Sequence, residues 1–425
     1  MRVLGIVVEY NPFHNGHLYH LESAKKLVNP DCVVAVMSGN FCQRGEPAVI
    51  DKFARTEIAL KMGVDVVLEL PTVFAVQDAG GFALGAVSTL DATGVVTDVV
   101  FGSESNDIEF LKKVSHVLFE QPEEFQRFLH EELKKGYSFP NARKFALMRY
   151  FALKGWNEKD VLRLEKSNDI LGVEYLRAAL QIGSRIKFHT IKRVGAEEKD
   201  TSFKGKFSSA TAIRNLLREN KWTEVKSSLP KTSYEILRRE IVNGRGPIFL
   251  ENVGNFMLSF FRLKDVKFFE SIHGFSEGLE KRFFVCSRCV GSYKDFLECV
   301  KAKRFTFSRI RRLALFSVFN MKKEFVEKSN KKGPQYIRIL GFTEKGRKIL
   351  AVMRKRSKLP VITNMSLYRK VVEKTELPID KNLSIEQLLL DVKATNFYSS
   401  FFPSEKDRSS ERDFSIHPIF LRAEI

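Results

Sequence analysis

The chain has 425 residues, 44% of them hydrophobic, and sets 70 Lys plus Arg against 51 Asp plus Glu, a formal charge of +19 at pH 7. That length suits two or three domains, while no window is long and uncharged enough for a membrane span and Met1-Arg2 leads into a strand rather than a secretory leader, which implies a cytoplasmic protein. The positive excess implies a polyanionic partner, nucleic acid in that compartment; a lysine-rich surface alone gives the same sum, so the distribution of charge decides.

In chain order, the apolar run 3–8 breaks at Glu9 into Tyr10-Asn11-Pro12, and periodic apolar residues resume past Gly16, which predicts a strand, a loop and a helix over 18–28. The loop carries His14-Asn15-Gly16-His17. A helix starting near Gly16 offers free N–H groups and its positive dipole end to an anion, and the glycine lets a phosphate approach the backbone. Two imidazoles beside it would stabilise charge on a phosphate under attack. No Walker lysine is present, so this is not a P-loop. A turn histidine and a helix-surface histidine are the plain alternative, which the position directly after the first strand disfavours.

A second strand follows over 31–38, then a polar loop over 38–47 containing Gly39, Arg44 and Gly45, a helix over 48–62 and a strand over 64–70 stopped by Pro71. A helix over 76–92 leads to a strand over 95–101, ending in Gly102-Ser103-Glu104-Ser105. This alternation predicts an α/β fold, a doubly wound, Rossmann-like parallel sheet with ligands at the carboxyl ends of its strands, at loops 9–17, 38–47 and 102–105. Gly102 is expected to let the backbone approach a base or sugar, and Ser103 and Glu104 to cap a helix starting near Asp107.

Residues 107–165 read as a helical insertion, with Phe110, Leu111, Val114, Val117 and Leu118 at helical spacing as core. A helix opening near Ser167 takes Asn168 or Asp169 as its N-cap, with nucleotide contact the other role for Asn168. A strand over 186–191 runs into Lys192-Arg193, and the run 208–214 then sets Ser209 and Thr211 at a helix start with Arg214 about a turn later, a second anion cradle. One cradle for an α-phosphate and one for departing pyrophosphate is what nucleotidyl transfer needs.

Past about 220 the pattern becomes mainly helical and rich in Phe, with helices predicted over 233–242, 248–261 and 309–319 and mixed strand and turn signals over 333–347. The expected organisation is therefore a catalytic, ATP-binding domain over 1–220 and a mainly helical, basic, RNA-binding domain over 221–425. Lys301, Lys303, Arg304, Arg309, Arg311 and Arg312 fall in one stretch without an acidic residue, suited to RNA phosphates, with Phe305 and Phe307 placed to stack on bases. The five cysteines are an odd number and argue against a disulfide framework; Cys286 and Cys289 have zinc-ligand spacing, but Cys299 supplies only a third ligand where a closed site needs four, so ordinary thiols are expected.

With these motifs together, the chain resembles the HxGH nucleotidyltransferase superfamily, whose second motif is usually written ISSTxxR and here reads Ser-Ser-Ala-Thr-Ala-Ile-Arg. More narrowly it resembles the bacterial tRNA(Met) cytidine acetate ligase family, through the His14 loop, the segment Ser-Gly-Asn-Phe-Cys-Gln-Arg-Gly-Glu-Pro-Ala, Phe-Gly-Ser-Glu, the second cradle, Gly-Pro-Gln-Tyr-Ile-Arg-Ile-Leu-Gly-Phe over 333–342 and Thr395-Asn396. The likeness runs over nearly the whole chain. It implies activation of acetate by ATP, with Mg²⁺ carried by the nucleotide, to acetyl-adenylate, followed by acetyl transfer to N4 of the wobble cytidine of elongator methionine tRNA.

The resemblance also implies an ATP site on Val7, Val8, Glu9, Tyr10, Asn11, Pro12, Phe13, His14, Asn15, Gly16, His17, Leu18, Tyr19 and His20, joined by Gly102, Asn168, Arg193, Ser209 and Thr211, with His14, His17 and Arg214 catalytic. The family's Asn-Asn-Ile-Leu is Asn168-Asp169-Ile-Leu here. No carboxylate pair for a metal is evident; Glu104 and Asp78 are the candidates. A small-molecule adenylyl- or cytidylyltransferase would share the first domain without needing the basic half. A non-catalytic RNA-binding protein is the third reading, and intact His14, His17 and Arg214 count against it.

Overall fold

Strands β1 (Val3–Val8), β2 (Cys32–Ser38), β3 (Val66–Leu70), β4 (Asp98–Ser103) and β5 (Lys187–Lys192) pair in parallel in the order β5-β4-β1-β2-β3, in a computed structural model that describes residues 1–156, 166–194, 202–203 and 205–422. β1 and β2 are apolar runs because both faces of the sheet are covered: Val3, Cys32, Val34 and Val36 enter one core, and Leu4, Ile6, Val8, Val33, Ala35 and Met37 enter the other. The chain winds from β1 to β2 and β3 in one direction and places β4 and β5 on the opposite side. The switch point thus lies between the carboxyl ends of β1 and β4, where the His14 loop and Gly102 sit.

Helix α1 (Asn15–Val28) starts three residues earlier than the apolar period predicts, because His14 caps it. Helix α2 (Lys52–Lys61) is capped by Asp51, whose carboxylate accepts from the Ala54 amide. The helix predicted over 76–92 runs over Ala79–Ala92, capped by Asp78, and a separate short helix, Thr72–Ala75, precedes it. The insertion contains helices Ile108–Glu120, Glu123–Lys134 and Phe139–Leu153, and its apolar stripe from Phe110 to Leu118 is buried as expected; residues 157–165 lie outside the described residues. Asp107 caps the first of these helices through the Phe110 amide, so Ser103 and Glu104 do not.

The second half is mainly helical, yet it returns to the sheet with β6 (Ile337–Thr343), antiparallel to β3, and with β7 (Val361–Ile362) and β8 (Ile419–Leu421) beside β6. One hydrophobic core runs from Val3 to Phe402, and Ile236 and Leu237 join the other, so the cores cross residue 220 without a break. A buried ion set fastens this return: Lys52 Nζ lies 2.7 Å from Glu69 and 2.8 Å from Asp413, and Arg338 lies 2.7 Å from each of the same carboxylates. Asp413 is held below the usual carboxylate range because the attraction of Arg338 and Lys52 outweighs the cost of burial. Removing one member would strand a buried charge, a loss of about 3–5 kcal/mol.

The expectation of ordinary thiols fails at one pair. Helices Leu279–Cys289 and Tyr293–Val300 pack together and bring Cys286 and Cys299 to a Cα separation of 5.8 Å as a disulfide, while Cys289 is free and exposed. The sequence had grouped Cys299 with Cys286 and Cys289 only as an insufficient ligand set. Among the described residues no helix is long and apolar enough to cross a membrane.

Candidate active site

At the switch point a cavity of about 280 Å³ is walled by Val7, Val8, Glu9, Tyr10, Asn11, His14, Gly16, His17, Tyr19 and His20 from the first loop and helix, and by Gly102, Asn168, Arg193, Ser209, Thr211 and Arg214. Of the residues expected to hold ATP, Pro12, Phe13, Asn15 and Leu18 are not on its wall. Phe13 is buried in the core, Leu18 packs against it, and the Asn15 amide donates to the carbonyls of Lys206 and Ser227 at 3.0 and 3.1 Å.

The two histidines fold back on the start of α1. The Gly16 amide donates to His14 Nδ1 at 3.0 Å, and the His14 amide donates to His17 Nδ1 at 3.2 Å, a reciprocal cap in which imidazoles do the work usual for Ser and Glu. The rings stack with centroids 3.7 Å apart. Because both Nδ1 atoms accept, each neutral ring carries its proton on Nε2 and keeps one donor there. Burial, helped by Arg193 and Arg214, lowers His14 to about 3; burial and Arg193 lower His20 to about 4; burial, His14 and Arg193 hold His17 well below the imidazole range. These are neutral hydrogen-bond donors at pH 7, not cations.

Gly16 lines the cavity and also serves the cap. A Cβ there would stand 2.9 Å from His14 Cε1, and its amide is given to that ring, so the glycine makes room for the imidazole cap.

Arg214 ties the second cradle to the first: Nη1 donates to the Asn11 carbonyl at 3.0 Å and Nη2 to Thr211 Oγ1 at 3.1 Å, while Glu46 stands 3.5 Å away. Ser209 is the N-cap of helix Ala210–Arg218, accepting from the Ala212 amide. On the opposite wall Arg193 donates to Asn168 Oδ1 at 2.8 Å, and Asn168 Nδ2 donates to Glu104 at 2.6 Å.

Neither Asn168 nor Asp169 is the N-cap of helix Ser167–Ile182. That position is Lys166, and the capping carboxylate comes from Glu104, which accepts from the Asp169 amide at 3.1 Å. Asp169 itself is buried and accepts from the Ser103 hydroxyl and the Glu104 amide. Glu104 and Asp78 are thus both engaged at helix starts, and among the described residues no group of three or more His, Cys, Asp or Glu is arranged to hold a metal.

Residues that the sequence did not single out complete the wall: Cys42, Gln43, Arg44 and Glu46 from the β2–α2 loop, and the apolar Phe82, Phe101, Leu171 and Tyr175. The polar loop was visible as a strand-end loop. The aromatic wall carries no signal that separates it from core. Arg55, fully buried, holds the strand ends together by donating to the carbonyls of Glu9 at 2.7 Å and Ser38 at 3.1 Å.

The basic run is not one helical face. Lys301 closes helix Tyr293–Val300, Lys303 and Arg304 are exposed on a turn, and only Arg309, Arg311 and Arg312 lie on helix Phe307–Phe319. Arg309 pairs with Glu277 at 3.2 Å, and Arg304 approaches it at 4.0 Å. Arg311 is bonded to Glu46, so it reaches the cavity's wall rather than open surface. Burial lowers the Arg312 pKa, with Arg309 and Arg44 adding repulsion. Phe305 is buried, so its ring is not free to stack on a base, whereas Phe307 is half-buried.

A family model described as HIGH nucleotidyl transferase matches residues 1–413. The chain is 78% identical over 418 residues to the tRNA(Met) cytidine acetate ligase of Thermotoga maritima, covering 98% of this chain and all of that one, and 55% identical over 423 residues to that of Fervidobacterium nodosum, covering 97% and 98%. Its structure superposes on the apo crystal structure of Thermotoga maritima TmcAL with a TM-score of 0.98 at 79% identity, and on the form bound with alpha-thio ATP with 0.96 at 77%, each over the full length of both chains.

Proposed function

The chain belongs to the HIGH nucleotidyl transferase family and, within it, to the tRNA(Met) cytidine acetate ligases, and from that membership we propose how its own residues carry out the reaction. An acetate oxygen attacks the α-phosphorus of ATP; the new O–P bond forms as the bond to the bridging oxygen breaks, and pyrophosphate leaves with the electron pair. N4 of the wobble cytidine in elongator methionine tRNA then attacks the acetyl carbonyl, loses a proton, and AMP departs with the C–O pair.

His14 and His17 act in the first step as Nε2–H donors to the α-phosphate oxygens. Catalysis here is positioning and stabilisation of charge, and donors fixed in advance by the helix cap need no reorganisation as the charge moves. Arg214, fixed by Asn11 and Thr211, receives the departing pyrophosphate; Arg193, fixed by Asn168 and Glu104, holds the nucleotide from the other wall. Gly102 leaves room there, since a Cβ would lie 3.1 Å from Arg193 Cγ. Charge neutralisation on the triphosphate would come from Mg²⁺ carried by the nucleotide. Lys303, Arg304, Arg309 and Arg312 meet the tRNA backbone, in a division where the first 220 residues carry the chemistry and the rest the basic surface; work on tRNA places the protein in the cytoplasm.

What supports this reading is one cavity gathering His14, His17, Arg193 and Arg214 in a chain so close to a ligase. Mass spectrometry of tRNA nucleosides after incubation with ATP and acetate is expected to find N4-acetylcytidine. No acetylated cytidine, or pyrophosphate exchange that ignores acetate and requires a phosphorylated metabolite, would sink it.

A further inference from the structure

Five phenylalanines from three helices and one turn touch in sequence across the surface of the second half. Phe401 meets Phe397 at 5.0 Å between ring centroids, Phe397 meets Phe256 at 5.3 Å, Phe256 meets Phe260 at 6.4 Å, and Phe260 meets Phe268 at 5.8 Å. Phe256 and Phe260 stand four residues apart on helix Leu250–Arg262, hence on one face, with ring planes only 15° apart. Phe256 is 47% exposed and the other four are half-buried. A single exposed ring is ordinary on a protein surface; here the exposed ring continues into four half-buried ones.

We infer that this chain of rings is a stacking platform for unpaired bases of the RNA substrate. Two observations choose RNA over an apolar protein partner. The charged groups seated over the rings are ammonium groups: Lys264 Nζ lies 4.6 Å from the Phe260 centroid and 5.0 Å from that of Phe268, and Lys322 Nζ lies 5.3 Å from that of Phe268. A protein face would desolvate those cations, whereas single-stranded RNA brings π-faces for the rings and phosphates for the lysines together. The platform also touches, through one buried ring, the loop that walls the active site. Phe397 stacks on Phe41 at 5.9 Å and 25°, and Phe41 immediately precedes Cys42 on the cavity wall.

The inference rests on the tRNA reading above, and steady-state kinetics separate the two. Phe256→Ala is expected to raise KM for tRNA about tenfold, the effect of losing one base–aromatic stack, while leaving acetate-dependent exchange of pyrophosphate into ATP unchanged; Phe256→Trp restores the KM. Fluorescence of 2-aminopurine placed beside the acceptor cytidine is quenched on binding to the wild type and less so on binding to Phe256→Ala. Lys264→Gln, which leaves the packing in place, lowers the salt dependence of tRNA binding by a slope of about 0.7. Unchanged KM, quenching and salt slope in these variants, with the wild type acetylating tRNA, would remove the platform alone. So would sedimentation showing that the rings join two copies of the chain while tRNA affinity ignores them. A wild type that exchanges pyrophosphate but neither binds nor acetylates tRNA would remove the platform and the reading together.

Discussion

The His14 loop and the basic run over 301–312 were equally prominent in the sequence, yet only one folds as its local pattern suggests. In the loop, every partner that fixes an imidazole lies within three residues: His14 takes the Gly16 amide and His17 takes the His14 amide. In the run, the decisive partner of Arg311 is Glu46, 265 residues away, and Gly45 lies so close to that helix that a Cβ would stand 2.7 Å from the Arg311 backbone. Short-range hydrogen bonding is written in spacing. A side chain whose environment is built by another part of the chain is not, and a charge run then says how much charge there is but not where it faces.

The largest test of that contrast is His17→Ala. Losing a fixed donor at the reacting phosphate is expected to reduce acetate-dependent pyrophosphate exchange by about 10²–10³-fold while leaving tRNA binding in a filter or mobility assay intact; exchange within a fewfold of wild type would show the donor is not used. Next come Arg311→Glu and Arg312→Glu, adjacent in sequence but assigned to different tasks. Reversal at Arg311 sets a carboxylate against Glu46 and disturbs Arg214, so exchange is expected to fall by roughly tenfold, on the order of one lost charged hydrogen bond. Reversal at Arg312 is expected to weaken tRNA binding and reduce its salt slope by about one while sparing exchange. Identical effects at the two positions would return Arg311 to the RNA surface.

The smallest effect is in pH. His14, His17 and His20 are all lowered by burial, so unfolded imidazoles bind protons below about 6.5 while folded His14 and His20 wait until about 3 and 4. The unfolded state therefore holds more protons in that window, and stability falls as pH drops from about 6.5 towards 3, with no contribution from these groups above it. Denaturant melts at pH 7 and 5 should show the decline, and His20→Gln should shallow it; a steeper slope in that variant would contradict the buried neutral state.

Much of the architecture was legible before any coordinates, because parallel strands covered on both faces are continuous apolar runs and the loops at their ends must be polar. β1 to β4 and the switch-point loops follow from that. The helix ends were less legible where the cap is distant: the start of helix Ser167–Ile182 is set by Glu104, and nothing within its own sequence announces a carboxylate arriving from β4. The Cys286–Cys299 disulfide depends on two helices docking, which cysteine parity does not encode.

What the sequence determined by itself was the strand, loop and helix order that sets His14 and His17 at a strand end and Arg214 on a second helix start, since residue type and apolar period mark those elements. Only the tertiary structure decided that the second half completes the sheet through Arg338 and Asp413, that Gly16 gives its amide to an imidazole, and that Arg311 bonds Glu46 of the cavity wall. Each of those outcomes turns on which distant group removes a charge or a ring from water, and burial is a property of the assembled fold, not of a stretch of chain.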